Sequence, residues 1–293
     1  MTTATATPNP VRELRSERAR IWTTFKRNKL AIVGLGMVLT IVIIALAAPI
    51  ITNHDPIAQA ARERLSPPSN EHFLGQDDYG RDIFTRIIYG ARVSLMVGVL
   101  SVLLGGTIGT VMGVVAGFKG GRIEIVIMRI VDTLLAFPDL ITGLLVLAVL
   151  GSGLDKLIFA IGIVISPRFA RLAHGPTLAL RERDFVNAAH SIGVGDIRML
   201  SKHILPNVMS ELLVMASLWT ASAIRIEANL SFIGLGVSPP TPTWGQMIRD
   251  GTAHLTTSPW FSIFPGIAIL VTVLAFNLLG DGLRDVLDPK LQR

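Results

Sequence analysis

The sequence predicts an all-α polytopic membrane protein with six transmembrane helices and both termini cytoplasmic. Three observations carry that prediction. Half of the 293 residues are hydrophobic and only 16% are charged, where a water-facing domain carries about 25%. Six stretches are apolar over the roughly 20 residues that a helix needs to cross a bilayer, namely 30–52, 93–117, 125–150, 157–173, 208–235 and 260–280. Threading those spans in order places 19 of the 27 Lys and Arg residues on one side, which marks that side as cytoplasmic. The apolar content excludes disorder. The absence of cysteine excludes a disulfide scaffold, thiolate metal ligands and a cysteine nucleophile. The net charge of +6 then mainly records orientation, and no nucleic-acid reader motif accompanies it.

Residues 1–29 form a cytoplasmic basic segment with seven cations, Arg12 to Lys29. Leu14, Ile21, Trp22 and Phe25 are interspersed among the charges, so 11–29 reads as a helix lying on the inner leaflet, or as a plain topogenic tail. The span 30–52 carries an A-x-A-like Ala45-Leu46-Ala47. Its apolar run exceeds the roughly 7–15 residues of a signal core, so it reads as a retained anchor. The extracytoplasmic loop 53–92 is long enough to be functional or disordered. Its Phe73, Leu74, Tyr79, Ile83 and Phe84 argue for order.

The core then runs from 93 to 281, followed by a cytoplasmic tail at 282–293. In the second span Gly105, Gly109, Gly113 and Gly117 recur every fourth residue. They fall on nearly one face, where another helix backbone can approach closely, in this chain or in a partner. The third span contains Arg129, Asp132 and Asp139 on one face. These read either as an Arg129–Asp132 pair, with Asp139 beside a Pro138 kink, or as a polar stripe lining a path for a cationic group. In the fifth span Arg225 and Glu227 point to different faces. A path role and a structural pairing with another subunit stand equal there. Between the fifth and sixth spans, Pro239, Pro240 and Pro242 stiffen an outer loop whose Trp244, like Trp260, suits the membrane interface.

The cytoplasmic segment 178–206 reads as helix, glycine turn, helix. Leu178 to Ala189 is helical in pattern, Gly193 and Gly195 break it, and 197–204 resumes it before Pro206 opens the fifth span. The six histidines form no H-x-x-x-H or H-E-x-x-H pair, so no metal ligation and no catalytic triad is expected.

That segment resembles the signature of the type I ABC importer permeases, E-A-A, three residues, G, nine residues, I, one residue, L-P. Asn187, Ala188, Ala189, Gly193, Leu205 and Pro206 fall at those spacings. Two positions depart: Asn187 stands for the glutamate and His203 for the isoleucine. The stretches LGQDDYGRDIFTRIIYGAR, MRIVDTLLAFPDL, LSFIGLGVSPPTPTWGQMI and FPGIAILVTVLAFNLLGDGLRDVLDP are similar to the peptide and nickel permeases. FKRNKLAIVGL is similar to the start of their C-type subunit, and coverage runs from about Trp22 to Pro289.

The resemblance implies a type I importer fold and a non-catalytic subunit of a bacterial inner-membrane transporter. It implies a homologous B-type permease, two ATPase subunits and an extracytoplasmic binding protein as partners. In it, 187–189, Gly193, Gly195, His203, Leu205 and Pro206 serve ATPase coupling. No G-x-x-x-x-G-K-[ST] phosphate loop occurs in the sequence, so this chain is expected to carry no cofactor, with ATP and Mg bound by the partners. Dipeptide or oligopeptide is the first substrate reading, and nickel or a glutathione-like solute comes next. An ATP-independent secondary transporter or channel is the alternative class.

Overall fold

The computed structural model describes residues 23–287. In chain order the helices are α1 (Lys29–Leu46), α2 (Ala48–Ile51), α3 (Ile83–Lys119), α4 (Gly121–Leu135), α5 (Asp139–Leu150) and α6 (Leu154–Arg181). They continue with α7 (Asp184–Ser191), α8 (Asp196–Met199), α9 (Leu205–Ile233), α10 (Trp244–Thr252) and α11 (Trp260–Leu287). Among the described residues there is no strand, only an isolated bridge between Gln76 and Asp82. Five of these helices are long and apolar enough to cross a membrane, and the pair α4–α5 makes a sixth span if taken as one. Residues 11–22 of the expected interfacial helix, and 288–293 of the tail, lie outside the described residues; 23–27 is helical.

The chain ends pack against each other. Asn28 caps α1 by accepting the N–H of Ala31 at 3.1 Å, and its Nδ2 donates to Asp285 at 3.0 Å. Gly34 lies against the backbone of Leu278 and Leu279, and Gly282 lies against Ala31. Helices α1 and α11 are therefore antiparallel and start and finish on one side of the bundle.

Helix α3 begins ten residues before the expected start of the second span. The Asp82 carboxylate caps it, accepting the Thr85 N–H at 2.7 Å, and Ile83 and Ile88 bury its first turns. Arg86 and Arg92 interrupt the apolar pattern there, which is why hydropathy placed those turns in the loop. The four glycines of α3 all face α6, in this same chain. A Cβ on Gly105, Gly109, Gly113 or Gly117 would run into the carbonyl of Gly162, Ser166, Ala170 or His174 respectively. Both series ascend together, so α3 and α6 are parallel, and the α4–α5 stretch is the return between them. The main apolar core forms along this contact, with Ile161, Ile165 and Phe169 of α6 against Val97, Val102 and Val114 of α3.

The third span is broken rather than kinked, since α4 and α5 meet at 99°. Pro138 has no N–H to give the α4 ladder and forces Phe137 out of the helical region. Two expected loops also contain helices. Residues 174–181 continue α6 through Pro176, and the pattern expected over 178–189 splits at Glu182 and Arg183. The loop between α9 and α11 holds α10, capped by Thr243 onto the N–H of Gln246 at 3.3 Å. Trp244 is buried, not interfacial: its Nε1 donates to the Ile87 carbonyl at 2.9 Å, and its ring packs with Ile224 and Phe276. A third small core under the same loop joins Ile83, Met247 and Phe261.

Candidate functional site

The 182–206 segment is a protrusion fastened at three points. Val186, Met199 and Ile204 are buried in the main core. Between the first two anchors the chain turns at Gly193, whose φ of +82° is a left-handed conformation that suits glycine. There the Val194 N–H donates to the Ala189 carbonyl at 3.0 Å. Asn187, Ala188, Gly195, His203 and Pro206 are exposed, while Ala189 and Leu205 are half-buried. Two large apolar side chains stand free, Ile192 at 82% and Ile197 at 84% exposure. Ile197 also lines the apolar groove described below.

The segment reaches the spans by two routes. Lys119, the last residue of α3, pairs with Asp196 of α8. Leu200–Ile204 forms a π-helical turn that runs directly into α9, with the Leu205 N–H on the Leu200 carbonyl. The wider turn suits the position, because Pro206 lacks the N–H that an α-helical ladder needs there.

The charges of the third span form a ladder with α6. Glu124 accepts from His174 at 2.8 Å, Asp132 pairs with Arg171, and Asp139 accepts from Arg168 at 2.7 Å. On α6 these partners are spaced three apart and share a face. The guanidinium of Arg168 also sits 4.6 Å over the Trp219 ring of α9. The expected Arg129–Asp132 pair is replaced by the pairing to Arg171, because α4 turns Asp132 toward α6; Arg129 is exposed. In the fifth span Arg225 is exposed and Glu227 is fully buried. Glu227 accepts from Ser94 of α3 at 3.1 Å and from Ser231 at 2.7 Å. Both of these partners lie in this chain.

An apolar groove of about 700 Å³ opens between α3 and α9, walled by residues such as Leu103, Val111, Met209 and Leu213. Its polar lining is hydroxyl only, from Thr107, Thr110, Ser201, Ser217 and Thr220. None of Arg129, Asp132, Asp139, Arg225 or Glu227 lines it.

A second charged cluster, in the loop before α3 and its neighbour α10, escaped the sequence reading. Arg81 donates to Asp77 at 2.6 Å, both nearly inaccessible. Arg86 is 1% exposed, with its Nε 3.4 Å from the same carboxylate and its Nη1 donating to the Pro56 carbonyl at 2.8 Å. Burial, then the neighbouring Asp77 charge, pushes the Asp78 carboxyl above its ordinary range. Burial raises Asp250 of α10 likewise, against the pull of Arg81 and Arg249. The legible signal was the density of charge in 77–86, with three acids and two arginines in ten residues.

The chain matches two family models. Residues 109–293 match the binding-protein-dependent transport system inner membrane component, and residues 16–68 match the N-terminal transmembrane domain of oligopeptide transport permease C. The chain belongs to this family of transport permeases. The permease is 44% identical over 267 residues to the dipeptide transport system permease protein DppC of Alkalihalophilus pseudofirmus, covering 91% of this chain and 88% of that one. It is 42% identical over 282 residues to the glutathione transport system permease protein GsiD of Pectobacterium atrosepticum, covering 96% and 94%. Among solved structures its fold matches a chain of the inward-facing MetNI methionine ABC transporter. That match has a TM-score of 0.55 at 18% identity, over 69% of this chain and 96% of that one.

Proposed function

We propose that this permease forms half of the translocation path of an ATP-driven importer for dipeptides or oligopeptides, and that segment 178–206 passes ATPase motion to its spans. The observation that carries the coupling role is the protrusion itself. It is held by Val186, Met199 and Ile204, presents Ile192 and Ile197, and is tied to α3 through Lys119–Asp196 and to α9 through the π-turn. An ATPase subunit docked on that face would move the ends of both helices that wall the apolar groove. The spans would then rock as rigid bodies between outward- and inward-open states.

The partner set is a B-type permease across the groove, two ATPase subunits below, and a binding protein above. ATP and Mg are held by the ATPases, and this chain does no chemistry. Its place is the bacterial inner membrane, with both termini cytoplasmic. The supports are the cation excess on one side and the antiparallel pairing of α1 with α11, which puts both described ends on one side. The apolar, hydroxyl-dotted groove suits a peptide backbone better than a bare cation, and it leaves the ladder charges to a structural role. A glutathione-type solute is the second reading, favoured by the GsiD relatives, one of them 42% identical over 96% of this chain.

The test is uptake into proteoliposomes holding the full complex with its binding protein. A labelled dipeptide and glutathione are compared, each with active ATPase subunits and with ATPase-dead ones. Dipeptide uptake that stops with the dead subunits supports the proposal. Glutathione uptake alone shifts the substrate reading, and uptake indifferent to ATPase activity defeats the importer reading.

A further inference from the structure

We propose that His54, His72 and Asp82 form a binding site for one divalent transition-metal ion of the zinc class, where the first span hands over to the second. Eighteen and ten residues separate these three groups, which is no metal-binding spacing, and the fold alone brings them together. One ligand atom from each lies within 4.8 Å of the others. Bonds of about 2.0 Å in a tetrahedron place ligand atoms roughly 3.3 Å apart. His72 Nδ1 and Asp82 Oδ1 already stand 2.9 Å apart, so closure asks for a shift of an ångström or so from the His54 loop.

The surroundings prepare each ligand. The Nε2 of His54 lies 3.2 Å from the Glu71 carbonyl, an oxygen that only accepts. Nε2 therefore carries the proton and Nδ1 keeps a lone pair. Such a backbone carbonyl behind the far ring nitrogen is the usual support of a metal-binding histidine. Asp82 has one oxygen fixed by the Thr85 N–H at the start of α3, which leaves Oδ1 turned toward the two rings. His72 has the Glu63 carboxylate 3.9 Å from its Nε2, on the side away from Asp82. A His72–Asp82 hydrogen bond by itself accounts for those two residues. It does not account for the His54 ring, whose centroid lies 4.7 Å from that of His72 at a 32° tilt, with its own far nitrogen satisfied.

Access and ligand chemistry agree with an ion. A cleft of about 280 Å³ opens onto His54 and Asp82, and Asn53, Asn70 and Glu71 give it a polar wall. Two imidazoles and one carboxylate select borderline ions such as Zn²⁺, whereas Ca²⁺ and Mg²⁺ take oxygen shells. A fourth position stays open to the cleft, for water or an incoming ligand. Once bound, the ion clamps the chain three residues beyond α2 to the first turn of α3, fixing the first span to the outer loop.

The experiment uses the full chain without a polyhistidine tag, stripped with chelator and held in lipid nanodiscs. Zn²⁺ is titrated by calorimetry, and Co²⁺ by its visible ligand-field absorption. The expected result is one Zn²⁺ per chain and a four-coordinate Co²⁺ spectrum. His54→Asn and Asp82→Asn should each weaken binding at least about tenfold, while His254→Asn, remote from the cleft, leaves it unchanged. The asparagine at 82 keeps an oxygen for the helix cap, so helicity and thermal midpoint should hold in that variant. Absence of saturable Zn²⁺ binding overturns the site, as does an affinity that His54→Asn leaves intact or that excess Mg²⁺ abolishes.

Discussion

Gly109→Ala tests whether α3 and α6 touch backbone to backbone, and the structure sets the size of the effect. The added Cβ would lie 2.7 Å from the Phe169 Cβ, 2.9 Å from the Ala170 N, and closer still to the Ser166 carbonyl oxygen. None of these atoms belongs to the flexible end of a side chain, so the helices themselves must separate. Overpacking of this kind costs about 1–3 kcal/mol, and a backbone clash belongs near the top of that range. Alanine gains up to about 1 kcal/mol in helix propensity over glycine. The net is a loss of about 2 kcal/mol, roughly 30-fold in the folding equilibrium. Gly106→Ala is the internal control: its Cβ would meet Phe169 Cε1 at 3.4 Å, an ordinary contact, so the propensity gain stands alone. The assay is reversible unfolding of the purified permease in mixed micelles, read by helicity. Equal stability of the two variants would refute the close-packed face.

Two further outcomes follow from the charged groups. Arg168→Ala and Asp139→Ala, with their double variant, form a cycle whose coupling should be about 1 kcal/mol or less, because both side chains are about a third exposed and screened; a coupling of zero removes the ladder's upper rung. Asp78→Asn should alter the pH dependence of stability with a definite sign. Its carboxyl is raised in the native protein, so the native state keeps a proton that the unfolded chain has released. Stability from this group is present below the ordinary carboxylate range and lost as pH rises through the raised value. Melting curves across that window should show Asp78→Asn gaining on the wild type as pH rises, and a constant difference would contradict the assigned shift.

The sequence exposed the spans because lipid-facing helices must be apolar along their length, and it exposed the glycine face because four glycines in register have one packing use. The 99° break was half legible: Pro138 announced a disruption, but a proline in the sequence does not state the angle at which the next helix leaves. The first turns of α3 were hidden because Arg86 and Arg92 are polar in sequence and held in space, Arg86 by a hydrogen bond to the Pro56 carbonyl and the charge of Asp77 3.4 Å away, Arg92 by the Ala45 and Leu46 carbonyls. Pairings across elements, such as Asp132–Arg171 or Glu227–Ser94, leave no periodic trace, since the partners come from different helices. Within segment 178–206 the glycine turn and the Leu205-Pro206 end were readable from spacing. The exposure of Ile192 and Ile197 was not, because an isoleucine in a helical pattern ordinarily reads as core.

The central claim is that segment 178–206 transmits motion, and the ratio of solute taken up to ATP hydrolysed measures it most directly. In the reconstituted complex, Gly193→Pro removes the left-handed turn at φ +82°, which proline cannot adopt, and leaves the spans and their membrane insertion in place. Deletion of 187–195 removes the glycine turn and Ile192 from the protrusion. Either change is expected to leave ATP hydrolysis running while uptake falls to background. A complex that carries either change and still transports at the wild-type ratio would contradict the coupling role.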